Sequence, residues 1–264
     1  MPTPRKSLPL RAALLAIGAA ALQAGASATG ASGAIQDAAQ RQALPVSPGH
    51  GEPAAGAGAR YRSPATIDAE LAEDLARRLH RRPEPGAATA GLRLTAVSDA
   101  GAALPTHVAV PISYDAAPMA IMRADTSIRS WEQLKGRAVC VARDGRHVGA
   151  LAGRYGAIEK IQPSLTDALV ALRSGACDAA VHDSAMLEEL IRLPEWKKFS
   201  ARLPAVRQST LAVLVPASDG KTLTAVRQAA HAWKAEGYPD TLMKKAVRNV
   251  AFEVYLEQDV PDCH

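Results

Sequence analysis

Apolar residues recur at steps of four from Ile67 through Leu71 and Leu75 to Leu79 in IDAELAEDLARRL, which places all four on one helix face. Polar and apolar residues then alternate in LRLTAV, residues 92–97, the period of a half-buried strand. Between Val97 and Pro111 only THVAV reads as extended, and a second extended run covers residues 118–122. SWEQLKGRAVCVARDG predicts a short helix capped by Ser130, a turn at Gly136 and a fully buried strand over residues 138–142. Helices are expected over residues 147–155 and 165–173, with a short strand at 158–161 between them. SGACDAAVHDSAMLEEL adds a turn at Gly175, a strand at 179–181 and a helix opening near Asp183. STLAVLVP supplies one more strand, followed by helices at 222–234 and 239–248 and a tail, VAFEVYLEQDVPDCH. Strands alternating with helices in this way predict an α/β fold with a parallel sheet and right-handed crossovers.

The N-terminus departs from this pattern. Arg5, Lys6 and Arg11 precede an apolar run, residues 12–22, and Ala26-Ser27-Ala28 follows it, the arrangement of an export signal and its cleavage site. The run is too short to span a membrane, and no cysteine follows it for a lipid anchor. Residues 1–28 are therefore expected to be a signal peptide. Residues 29–59 are rich in Ala, Gly, Ser, Pro and Gln, cannot bury enough surface to offset the entropy of ordering, and are expected to form a flexible leader.

The signal changes how charge is read. The 264 residues carry a formal net charge of +5, which falls to +2 without Arg5, Lys6 and Arg11. Such a balance gives no reason to expect a nucleic-acid partner, and the basic run RRLHRRP reads as the solvated end of a helix. Hydrophobic residues make up 48% and aromatics 4%, so the core should be built mostly from small apolar side chains. Exported, Cys140, Cys177 and Cys263 would meet an oxidising compartment, where one disulfide and one remaining thiol is the simplest outcome. Their spacing matches no zinc pattern and does not decide which two pair, and the terminal DCH supplies too few ligands for a metal site.

Several blocks occur in a telling order: RADTSIRSWEQLKGRAVCV, then SLTDALVALRSGACDAAVHDSAMLEEL, STLAVLVPASDG and EGYPDTLMKKAV, with IDAELAEDLARRL ahead of them. In that order they resemble the bacterial solute-binding proteins of family 3, periplasmic receptors for amino acids and related small solutes. The resemblance implies two α/β lobes joined by crossing strands, with ligand held at the carboxyl ends of the strands as the lobes close. Lobe 1 would be residues 60–116 with 217–264, and lobe 2 residues 117–216. The interval from Val97 to Pro111 is too short for the strand–helix–strand segment that carries the family's arginine clamp, so lobe 1 is expected to be reduced.

By the same resemblance, Asp183 matches the carboxylate that receives a ligand's ammonium group, a position that equally suits a helix N-cap. His182, one residue earlier on a strand, points to the opposite face and is read as structural, which also argues against a triad of His182, Asp183 and Ser184. Gly145, Arg146 and His147 match a loop at a helix start where backbone amides hold a carboxylate. Arg146 and His147 stand there in place of small hydroxyl residues, either to supply the positive charge missing from lobe 1 or to face solvent. Tyr114 resembles the aromatic residue of the first hinge crossing, packed on ligand or anchoring the crossover. The family's sheet order would make the strands near Cys140 and Cys177 neighbours, which allows a bridge between them; the alternative is a small buried hydrophobe. The function implied is capture of a small polar or anionic solute, amino-acid-like, by a monomeric periplasmic protein serving an ABC permease, without catalysis or cofactor. The alternative is an accessory or sensor protein of the same fold, such as a partner of a periplasmic quinoprotein dehydrogenase.

Overall fold

The helix read from the four-residue steps is α1, Ile67–Arg78, in the computed structural model, whose described residues are 43–44, 66–80, 82–83, 92–98, 103–205 and 207–257. All of these belong to one compact unit, Arg41–His264. The expected signal peptide, Cys263 and most of the expected leader lie outside the described residues. Within that leader, Ala43–Leu44 pairs in parallel with Arg82–Pro83.

Thr66 starts α1 by accepting a hydrogen bond from the Ala69 amide at 3.2 Å, and acidic residues in the first turn and arginines in the last complement the helix dipole. Leu71 and Leu75 are fully buried. Asp68 and Asp74 lie on the same buried stripe, where a carboxylate needs partners. Asp74 finds them in the Trp233 indole N–H at 2.6 Å and in Arg77 and Arg78, which pins α1 to the helix carrying Trp233.

The chain then forms β1 (Arg93–Val97), the two-residue β2 (Ala103–Leu104) and β3 (His107–Asp115). After Ala116 and Ala117 it enters β4 (Pro118–Met122), the 3-10 turn Trp131–Leu134, β5 (Ala138–Ala142), α2 (Ala150–Tyr155) and β6 (Ile158–Gln162). Then come α3 (Leu165–Arg173), β7 (Ala179–Asp183), α4 (Ser184–Leu190), the 3-10 turn Pro194–Phe199 and β8 (Ala201–Leu203). The chain returns through β9 (Thr210–Pro216) and closes with α5 (Gly220–Glu236) and α6 (Tyr238–Leu256).

Two sheets result. One has four strands in the order β1-β9-β3-β2, all antiparallel; the other has five in the order β8-β4-β7-β5-β6. The parallel sheet expected from the alternation is realised only in β6-β5-β7. β4 and β8 run antiparallel to their neighbours, because β4 enters directly from the other sheet with no helical crossover to set its direction. The residues between β1 and β2 are too few for a strand–helix–strand unit, so the four-stranded lobe is reduced.

The first part of the expected C-terminal tail, residues 250–256, is instead the end of α6, and the tail from residue 258 onward lies outside the described residues. Val247, Ala251 and Val254 continue the helical step and are buried, and the buried Glu253 carboxylate accepts from the Thr166 hydroxyl of α3 at 2.7 Å. One apolar cluster joins both sheets through α6, taking in Leu75, Val110, Met119, Leu169, Leu187, Val213 and Val254. A smaller cluster of Met122, Trp131, Val139, Val141 and Val181 covers the other face of the five-stranded sheet. The Cys140 and Cys177 sulfurs are bonded, with Cα atoms 5.8 Å apart, tying β5 to the segment entering β7.

Candidate functional site

Asp183 ends β7 and stands at the N-cap position of α4, yet its side chain makes no capping hydrogen bond. It is buried and turned toward three other residues instead. The Tyr114 hydroxyl, from β3, donates to Oδ2 at 3.1 Å. His147 Nε2 lies 2.9 Å from Oδ1, and Arg146 Nε lies 3.4 Å from Oδ2. Arg146 continues across to α1, where its two terminal nitrogens bond both oxygens of Asp68, Nη1 to Oδ2 at 2.9 Å. Two buried carboxylates, one on α1 and one at the end of β7, thus converge on one guanidinium.

The positions follow from local structure. Tyr114 sits one residue before the end of β3, where the chain crosses to the five-stranded sheet, and the Ala116 and Ser184 amides fasten that crossing to Ser209 O and Ala117 O. Arg146 and His147 occupy the loop between β5 and α2. Gly145 is needed there because a Cβ would lie 2.9 Å from the Ala142 carbonyl oxygen, and Gly149 adopts φ +82°. The loop's backbone is at the surface, with Arg143 and Val148 exposed, while the Arg146 and His147 side chains turn inward.

Burial pushes the Asp68 carboxyl above its ordinary value, against the pull of Arg146. Burial also acts on Asp183, but the His147 hydrogen bond and the nearby positive charge of Arg146 hold it below the usual aspartate range. Burial and the Asp183 charge raise the Tyr114 hydroxyl well above the usual tyrosine value, so it stays a proton donor. Arg146 is disfavoured by burial but more strongly stabilised as a cation by the two carboxylates. The arrangement is built to hold a delocalised cation between two acids in a low-dielectric setting.

Each residue named from the sequence has a definite place. Asp183, Arg146, His147 and Tyr114 form one cluster, with Gly145 shaping the loop beside it. Arg146 and His147 do not face solvent; Arg146 supplies positive charge to the protein's own carboxylates, and His147 brings a ring nitrogen against Asp183. The amides at the start of α2 are engaged too, since the Glu159 carboxylate of β6 accepts from Gly149, Leu151 and Ala152 at 2.6, 2.8 and 2.9 Å. His182 follows the strand alternation, on the face opposite Asp183; it is paired in register with Met119, and its buried Nδ1 has no hydrogen-bond partner. The Ser184 hydroxyl donates to the Asp115 carbonyl at 3.4 Å rather than joining His182 and Asp183. Asp68 is the member that sequence reading missed. Its signal was present: it is three residues before Leu71 and seven before Leu75, on the stripe that faces the core. Among the described residues no cluster of His, Cys, Asp and Glu could hold a metal ion, and no helix is long and apolar enough to cross a membrane.

The chain matches no protein-family model and no curated protein sequence. Solved structures do match. Holo ArgBP from T. maritima aligns with 18% identity and a TM-score of 0.51, covering 80% of this chain and 98% of that one. The amino acid ABC transporter substrate-binding protein AbpA from Streptococcus pneumoniae, bound to L-arginine, aligns with 15% identity and a TM-score of 0.56, covering 82% and 99%. The fold is that of a two-lobed periplasmic binding protein. A histidine kinase sensor domain similar to periplasmic binding proteins shares it, with 21% identity and a TM-score of 0.50 over 77% of this chain and 95% of that one.

Proposed function

We propose that the protein is an exported, non-catalytic binding protein that takes a small polar solute bearing a cationic group between its two lobes, in the service of an ABC permease. One observation carries this reading: Asp68 of α1 and Asp183 at the end of β7 converge on a single guanidinium, with the Tyr114 hydroxyl fixed on Asp183. Two desolvated acids with that spacing favour a cation over an anion, so an amino-acid-like or amine solute fits better than an organic acid. The Cys140–Cys177 bond is in keeping with an oxidising compartment such as the periplasm.

The test is a thermal-shift panel of basic and neutral amino acids, polyamines and organic acids on the purified protein. A solute at about a hundred times its dissociation constant adds roughly 2.7 kcal/mol of stability, so a cationic member should raise the melting temperature and organic acids should not. A second reading, an accessory or sensory module that works through a protein partner, is favoured by the apolar core that α6 makes continuous between the lobes. No shift across the panel, together with recovery of a stable partner from periplasm, selects it over the first.

A further inference from the structure

The occupant of the interlobe site comes from the chain itself, and it fits only one of its two acids well. Arg146 meets Asp68 with both terminal nitrogens, the bidentate geometry in which a guanidinium binds a carboxylate best. Toward Asp183 it offers Nε at 3.4 Å, and that buried Nε makes no hydrogen bond at all. A tethered guanidinium has its orientation fixed by the side chain behind it, and an unmade buried hydrogen bond has a free-energy cost. A free guanidinium or ammonium group has no such tether and could satisfy both acids.

The tether is also placed to move. Arg146 is held by a loop and not by a strand or helix, the loop has Gly145 and Gly149 on either side of the Arg146–His147 pair, and Val148, Gly149 and Ala150 are exposed, with the Gly149 amide held by the Glu159 carboxylate. Backbone rotation at such positions is the usual hinge of a swinging segment. Asp183 is held from elsewhere by Tyr114, so the acid would stay in place if the loop swung out.

We infer that Arg146 is a tethered occupant of the interlobe site, a built-in competitor that holds Asp68 and Asp183 together and must swing out before a guanidinium- or ammonium-bearing solute enters. The inference rests on the reading of this site as cation-accepting, and it adds that solute affinity is set by competition with Arg146. Removing the guanidinium should therefore unmask a site rather than abolish one.

The probe is methylguanidinium, with sodium chloride as the ionic control and methylurea as the neutral isostere, added to wild type, Arg146→Ala and Arg146→Lys in a thermal-shift titration. Arg146→Ala should be stabilised saturably by methylguanidinium, by about 5 °C or more at about a hundredfold its dissociation constant, and by neither control. Wild type should respond at least about tenfold less sensitively. Arg146→Lys keeps the charge but loses the fork, should respond in between, and decides the matter if Arg146→Ala does not fold. Equal responses to methylguanidinium and sodium chloride in the folded variants overturn the inference. If the variants gain no methylguanidinium response while wild type binds some panel solute, the tethered-occupant idea falls and solute capture stands. If the variants gain it and wild type binds no panel solute, the occupant is confirmed and solute capture falls.

Discussion

Arg146, on the loop after β5, bonds both carboxylate oxygens of Asp68 on α1, a residue 78 positions earlier in the chain. That contact places a cation from the five-stranded sheet's loop against an acid of α1 and, through the same side chain, against Asp183. It also explains why Asp183 caps nothing: its lone pairs are taken by Tyr114 and His147, with Arg146 alongside.

Tyr114→Phe removes one donor to an ionised acceptor without changing the packing of the ring. A hydrogen bond to a charged group is worth about 1.5 to 3 kcal/mol, so urea unfolding should show a loss in that range. A loss near zero would mean that the Tyr114 hydroxyl does not help to fix Asp183.

Gly145→Ala drives a Cβ to 2.9 Å from the Ala142 carbonyl oxygen, so the loop must shift. The expected cost is about 1 to 3 kcal/mol, as for other steric insertions, with a changed solute response because Arg146 moves with the loop. Unfolding and the thermal-shift panel read the two effects separately.

His182 gives a pH signature. Its burial depresses its pKa from 6.5, so the native state resists the proton that the unfolded state accepts. The stability this provides is present above about pH 6.5 and is lost as pH falls toward the depressed value. His182→Leu removes the titrating group. The stability difference between wild type and His182→Leu should therefore shift in favour of the variant between pH 7.5 and 5.5, measured by urea unfolding at each pH; a pH-independent difference would show that His182 is not buried neutral.

The Cys140–Cys177 bond closes a loop with a sequence separation of 37 residues. Constraint of the unfolded chain by a loop of that size is worth about 3 to 4 kcal/mol. Unfolding with and without reductant, and of Cys140→Ala/Cys177→Ala, should show a loss of that order in both.

Much of the fold can be read locally. The steps of four in α1, the alternation in β1 and the apolar run of β5 are set by which side chains face the core, and those elements stand where the pattern puts them. Strand direction is not a local property, so β4 and β8 carry no sign in the sequence that they run against their neighbours. The end of α6 was legible in principle from Val247, Ala251 and Val254, but the polar residues between them resemble a tail. At the site, alternation separated His182 from Asp183. It could not show that His147, 36 residues away, would take the neighbouring place, or that Asp68 would meet Arg146, because both pairings depend on how loops and helices fold over the sheet.

Asp68 and Arg146 interact directly and strongly across the site. A double-mutant cycle measures it: urea unfolding of wild type, Asp68→Asn, Arg146→Gln and the double variant. Breaking a buried ion pair from either side leaves the partner unpaired and is expected to cost about 3 to 5 kcal/mol, whereas losing both partners should cost much less than the sum. The predicted coupling is about 1 to 3 kcal/mol, and single effects that add to within about 0.5 kcal/mol would contradict the account.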